Sequence, residues 1–156
     1  MKIEIRRAIP SDAAFIVDCN VRLALETERL QLDPARVASG VAVLLKEQAK
    51  GVYFIAEGDA APAGQMLVTD EWSDWRNGNF WWVQSVYVAE QFRGRGIFRT
   101  LFEHVEALAR SHEDVCGLRL YVDSQNSRAQ AVYARMGMKK TNYQVFETDF
   151  VLNPGA

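Results

Sequence analysis

The sequence predicts a mixed α/β fold of the α+β layer kind, a mostly antiparallel sheet flanked by about four helices. Three observations carry that reading. The apolar period switches repeatedly between two residues and three to four. Turn chemistry built on Gly, Pro, Asn and Asp falls between the periodic segments. No internal repeat, low-complexity stretch or linker interrupts them, so residues 1–156 read as one domain.

Residues 2–8 alternate with Ile3 and Ile5 on one face, which predicts a first strand. Pro10, Ser11 and Asp12 stop it and offer a helix cap, after which Phe15, Cys19 and Leu23 recur at helical spacing over residues 12–28. Asp33-Pro34 is a second start signal: a capping carboxylate precedes a proline whose missing N–H costs nothing in the first turn. Val37, Val41, Leu44 and Leu45 form the apolar stripe of that second helix. Two strand-rich runs, 52–56 and 64–69, read as an antiparallel hairpin turning at Gly58 and Pro62. Asn77-Gly78 predicts a two-residue turn into a long strand at 80–88, because both residues tolerate positive φ. A third helix with Ile97, Leu101, Val105 and Leu108 on its apolar face ends near Gly117. A strand at 118–122, a helix at 125–136 closed by Gly137, and a final strand at 143–151 complete the order.

Composition narrows the function. The chain is 49% hydrophobic and 24% charged, within the range of folded proteins large enough to bury a core without metal or disulfide staples. A formal net charge of -2 argues against a broad nucleic-acid surface, which must neutralise many phosphates. The amino terminus lacks an apolar leader and no run is long enough to span a bilayer, so the expectation is cytoplasmic residence without a membrane partner. Cys19 and Cys116 have no partner at metal-ligand spacing, so no metal is expected and both read as free thiols. His104 and His112, on the third helix with no nucleophile or carboxylate at a recognisable spacing, read as surface residues.

The chemistry concentrates where the long strand runs into Gln91-Phe92-Arg93-Gly94-Arg95-Gly96 and then a helix. Consecutive backbone N–H groups, the positive end of a helix dipole and two glycines meet there, which is the composition of a phosphate site. The first-turn amides of Ile97, Phe98 and Arg99 join it, and the side chains of Arg93, Arg95 and Arg99 add charge. Position 99 is arginine where a dinucleotide fingerprint needs its third glycine, and the Gly-Lys-Ser/Thr of a nucleotide P-loop is missing.

In Gln91, Gly94 and Gly96 this segment resembles the Gln/Arg-x-x-Gly-x-Gly/Ala signature of the GNAT superfamily of acetyl-CoA-dependent N-acetyltransferases. The preceding run of Val83, Gln84, Ser85, Val86, Tyr87 and Val88 looks like that family's fourth strand, whose last residues bond the pantetheine arm through main-chain groups. Asn126, Ala129 and Tyr133 sit on the later helix as the family's motif for the CoA arm and leaving thiol would have them. On a helix, positions seven apart nearly superpose in angle, so Asn126 and Tyr133 share a face with the small Ala129 between them.

The resemblance implies acetyl-CoA as cosubstrate, an amine of a small molecule or a protein as acceptor, and a possible homodimer. It also implies that the N–H of Val88 or a neighbouring strand amide polarises the thioester oxygen and that the Tyr133 hydroxyl protonates the departing sulfur or holds it by a hydrogen bond. Many family members carry a glutamate at the position of Gln84, and a glutamine cannot accept a proton, so the base must lie elsewhere. Glu71 and Asp74, before the Asn77-Gly78 turn, and Glu26 and Glu28, near the end of the first helix, are the candidates for that role, with Glu71 and Glu28 foremost. Glu26, Glu28, Glu71, Asp74 and Gln84 are the candidates for lining an acceptor mouth that suits a cation. Trp72, Trp75, Trp81 and Trp82 are available as cation-π faces, although Trp81 and Trp82 must point to opposite sides of their strand. A binding module that holds acyl-CoA without turning it over predicts the same loop but has no use for Tyr133.

Overall fold

A computed structural model describes residues 1–152. The chain forms two compact units, Met1–Leu120 and Tyr121–Ala156.

The first unit is a five-stranded sheet in the order β1-β2-β3-β4-β5, with β1 (Ile3–Arg7), β2 (Val52–Gly58), β3 (Ala61–Ser73), β4 (Gly78–Val88) and β5 (Val115–Arg119). The first four strands pair antiparallel with their sequence neighbours. The step from β4 to β5 is parallel and crosses over through α3 (Ile97–Ser111), since a parallel neighbour cannot be reached by a tight turn. Helices α1 (Ala13–Glu28) and α2 (Pro34–Lys46) cover the opposite face. Asp33 caps α2 as expected, its carboxylate accepting the Ala35 N–H at 3.0 Å.

Strand alternation divides the core between the two faces. Tyr53, Ile55 and Leu67 pack with Ile16 of α1 and Val41 of α2, and the Val37, Leu44 and Leu45 stripe borders them. On the other face Phe54 meets α3 through the His104 ring, and Ile97, Leu101, Phe102 and Val105 are buried there. Full burial of such a side chain stabilises by about 1.5–3 kcal/mol each. At the start of α1, Arg6 grips Asp12 with two nitrogens at 2.7 and 2.9 Å and Glu57 with a third at 2.8 Å, tying β1 and β2 to the helix entrance.

Several expected boundaries shift. The first hairpin turns at Asp59 and Ala60, both at positive φ, and Pro62 lies inside β3 next to a register shift that accommodates its missing N–H. The second hairpin is a four-residue turn over 74–77: Asn77 has positive φ, but Gly78 pairs with Ser73 as the first residue of β4. Helix α3 stops at Ser111 instead of near Gly117. Gly117 lies within β5, where a Cβ would stand 2.7 Å from the Phe80 ring, so that strand needs glycine for a close approach, and it runs earlier than residues 118–122.

In the second unit α4 (Ser127–Arg135) replaces the longer helix expected at 125–136, with Gly137 behind it at φ 86. The final strand expected at 143–151 does not form. Its alternation is real, but a strand needs a ladder partner and none pairs with it among the described residues. Tyr143, Phe146 and Phe150 are instead strongly exposed, and Asp149 turns the chain by accepting the N–H groups of Val151 and Leu152.

Candidate active site

The two halves of β4 differ. Over residues 79–82 it is bonded to β3 on one edge and to β5 on the other. Beyond Trp82 the edge facing away from β3 has no strand partner among the described residues. Within that half-paired stretch the β3–β4 register slips, so that Ser85 and Val86 together oppose Met66. Ser85 takes a left-handed φ of 47°, a conformation that costs a non-glycine residue about 1–2 kcal/mol.

The ladder past the bulge shows where Val88 points. The Ala89 N–H bonds the Ala63 carbonyl at 2.9 Å, so by antiparallel alternation the next pair, Gly64 and Val88, turns its polar groups away from each other. The Val88 N–H and carbonyl therefore face the free edge. The Arg93 Nε donates to that carbonyl at 3.0 Å.

Beyond Val88 a short turn of 3-10 helix, Glu90–Phe92, leads to Arg93, Gly94, Arg95 and Gly96. Gly94 has φ 75 and Gly96 φ 83, and a Cβ on either would meet nothing within 4 Å. These glycines are needed for their backbone conformation, and the space in front of them is open. Gly96 is the N-cap of α3 and supplies no side chain to its first turn. A cradle of main-chain donors at the positive end of a 15-residue helix, with room above it, suits a diphosphate.

The three arginines of this segment are not equivalent. Arg99 pairs with Glu103 one turn along α3 at 2.9 Å. Arg93 reaches back to Glu26 at the end of α1 at 2.7 Å and lies over the Tyr87 ring, 5.3 Å from its centroid. Arg95 is exposed and makes no ion pair among the described residues, so its charge is available to an anion at the turn.

The structure thus brings together four expected site residues, Glu26, Tyr87, Val88 and Arg93. Tyr87 donates to Glu26 Oε1 at 2.7 Å while Arg93 holds Oε2. The Tyr87 hydroxyl first, and Arg93 after it, hold the Glu26 carboxyl below the usual carboxylate range. Burial, reinforced by the Glu26 charge, pushes the Tyr87 hydroxyl up to about 12. A carboxylate with both oxygens engaged is a weak base, and Glu26 fastens strand and loop to α1.

The other residues expected at an acceptor mouth lie apart from this cluster. Glu71 is held by Arg119 of β5 at 2.5 Å, and the same guanidinium stacks 3.7 Å over the Phe80 ring. Gln84 donates to the Thr69 hydroxyl at 2.5 Å. Asp74 sits at the exposed hairpin tip and accepts the Trp75 N–H, and Glu28 ends α1, exposed. The acidic mouth is consequently much less negative than the sequence suggests, because arginines neutralise two of its four carboxylates. Trp72 and Trp75 are exposed at the hairpin, and Trp81 meets the His112 ring from the side of the sheet opposite to Trp82. Within the second unit Asn126 caps α4, its Oδ1 accepting the Ala129 N–H at 3.0 Å, and burial raises the Tyr133 hydroxyl above its ordinary value.

Residues that sequence reasoning missed lie beneath the bulge. Gln65 of β3 is fully buried, donates to the Ser85 carbonyl at 3.1 Å and to Asn20 Oδ1 at 2.7 Å, and Asn20 donates to the Tyr53 hydroxyl at 2.9 Å. A glutamine inside the apolar run of β3 was the available signal; nothing in the sequence marked Ser85.

The arrangement is that of an α/β layer protein with an open glycine turn at the end of a half-paired strand, where main-chain amides could meet an anion. The comparisons with known proteins then give the family. Residues 22–138 match the family model described as the acetyltransferase (GNAT) family, and the chain belongs to that family. A possible acetyltransferase from Clostridium difficile 630 is 40% identical, with 96% of this chain and 98% of that one covered and a TM-score of 0.89. A predicted acetyltransferase from Clostridium acetobutylicum, solved with acetyl-CoA, shares the fold at 15% identity, 96% and 97% coverage and a TM-score of 0.74. Glucosamine-6-phosphate N-acetyltransferase from Arabidopsis thaliana does so at 17% identity, 95% and 99% coverage and a TM-score of 0.72. A search of curated proteins found no match. Among the described residues no helix is long and apolar enough to cross a membrane, and no group of three His, Cys, Asp or Glu could hold a metal.

Proposed function

We propose that this protein is an N-acetyltransferase that moves the acetyl group of acetyl-CoA to an amine of a small molecule or a protein. The observation that carries the reading is the open turn at Gly94 and Gly96, two left-handed glycines in front of an uncapped helix. The family match, which runs across both units, supports one functional domain over the whole chain.

In this reading the amides of the turn and of Ile97, Phe98 and Arg99 hold the diphosphate, with Arg95 adding charge and Gln91 bordering the turn. Main-chain groups of Val86, Tyr87 and Val88 run along the pantetheine arm. Acetyl-CoA supplies an activated acyl carbonyl. The Val88 N–H, on the unpaired edge of β4, donates to that carbonyl oxygen as negative charge develops on it. Asn126 and Ala129 flank the CoA arm, and the Tyr133 hydroxyl, kept protonated by burial, delivers its proton to the departing sulfur. A primary amine has a pKa of about 10.4, so a proton must leave it before attack. With Glu26 and Glu71 engaged by arginines, Glu28 is the carboxylate assigned to that step, and Gln84 and Asp74 face the acceptor.

Calorimetry with CoA and acetyl-CoA, followed by thiol release with a panel of amines, tests the reading. Binding of both and amine-dependent release are expected, with Tyr133→Phe slowing release by about a hundredfold or more at similar CoA affinity. No heat with either ligand would overturn it.

A further inference from the structure

The Gln65 amide has a fixed orientation. The Ser85 carbonyl can only accept, so Gln65 must present its NH2 group there. The same group donates to Asn20, which must therefore offer its Oδ1 and send its own NH2 to Tyr53. That order leaves Gln65 Oε1 buried with no hydrogen-bond partner among the described residues. An unmet buried acceptor costs about 1–3 kcal/mol. The amide stands at that cost for the two bonds its NH2 group makes, since an apolar side chain here would strip the Ser85 carbonyl and Asn20 Oδ1 of their donor.

The left-handed residue of the bulge is what Gln65 touches. Ser85 turns its carbonyl out of the β3 ladder into the sheet interior, and Gln65 Nε2 is the donor that meets it. The Ser85 side chain is held as well: burial raises the Tyr53 hydroxyl, and hydrogen bonds from Asn20 and Ser85 oppose that rise. Ser85 is thus fixed at its carbonyl by β3, and the Tyr53 hydroxyl of β2 lies beside its side chain. A bulge re-aims the backbone that follows it, and the residues that follow are Val86, Tyr87 and Val88.

We infer that Gln65 is a positioning residue for acyl transfer: by holding the Ser85 carbonyl it sets the bulge that aims the Val88 N–H along the free edge of β4 at the acyl oxygen. The inference rests on the acetyl-CoA reading of the site. Gln65 is buried and does not touch the ligand, so it acts on the polarisation of the carbonyl and not on the grip of the phosphate turn. Loss of aim at a single donor is expected to lower kcat by about ten- to a hundredfold, the scale set by small misplacements of reacting groups.

Isotope-edited infrared spectroscopy of acetyl-CoA bound to the full chain separates the two ideas, because a hydrogen bond to the thioester oxygen lowers the carbonyl stretching frequency. Wild type is expected to show that lowering. Gln65→Met is expected to lose most of it while its CoA dissociation constant, measured by calorimetry, stays within about threefold. Adding Ser85→Gly, which makes the left-handed φ costless without the glutamine, should recover part of the shift. Gln65→Leu, apolar and also lacking a donor, should behave like Gln65→Met and serves if that variant does not fold. A lowered stretch that survives both substitutions at Gln65 overturns the inference, as does wild type that binds acetyl-CoA with an unshifted carbonyl. Absence of CoA binding by wild type would instead remove the function on which it rests.

Discussion

One strand of this molecule, β4, is built in two ways along its length. Its first half is bonded on both edges, and Phe80 there is pinned between the backbone of Gly117 and the Arg119 guanidinium. Its second half is bonded on one edge, bulged at Ser85 and followed by two glycines at positive φ. The first arrangement ties the backbone to protein on both sides. The second leaves the Val88 amide and the turn donors pointing outward, a state that persists because the paired half and the α1 contacts hold the strand in place. Stability and ligand binding should therefore separate along a single strand.

The largest effect should come from the paired half. Phe80→Ala removes a ring that is 8% exposed and is expected to cost about 3–5 kcal/mol, read as a lower urea midpoint. CoA affinity of the folded variant should change little. If affinity collapses in parallel with stability, the two halves are not independent.

Gly94→Val reverses the pattern. A Cβ there meets no neighbour, so the cost is conformational, about 1–2 kcal/mol for a branched residue at φ 75. CoA affinity should fall by tenfold or more in calorimetry, since valine either moves the amides or covers them. Unchanged affinity would place the phosphates elsewhere.

Glu26→Gln gives the smallest effect and reads the fastening between α1 and the strand. Glu26 titrates below its ordinary range when folded, so its contribution is present above about pH 4.3 and is lost as pH falls through the folded value. Tyr87 is displaced the other way, so its contribution is complete below about pH 10 and is lost as pH rises through about 12. Replacing Glu26 should bring the Tyr87 titration down, followed by phenolate absorbance, but not to the ordinary value, because burial is the larger cause. An unmoved Tyr87 would mean that Glu26 does not set it.

The sequence made legible what depends on near neighbours. Helix α2 announces itself through Asp33, Pro34 and its stripe, and the turn before α3 through glycines whose φ values other residues rarely adopt. It failed where the deciding partner is distant. The end of α3 depends on how close β5 comes to Phe80, which makes Gly117 a packing residue and not a helix stop. The apolar alternation at 143–151 predicts a strand that the fold does not pair. Glu26 and Glu71 looked like free carboxylates because Arg93 and Arg119, their partners, lie 67 and 48 residues away. Ser85 bears no mark of its strained backbone, since that is imposed by the slipped register opposite Met66.

Cys19, sealed against the sheet at 1% exposure, has its thiol pushed up to about 12 by burial. Near neutral pH roughly one molecule in a hundred thousand carries it as the thiolate that attacks disulfide dyes. Colorimetric detection of liberated coenzyme will accordingly see a background from the half-buried Cys116 and almost none from Cys19, and mutating Cys116 should leave the protein close to silent in such an assay.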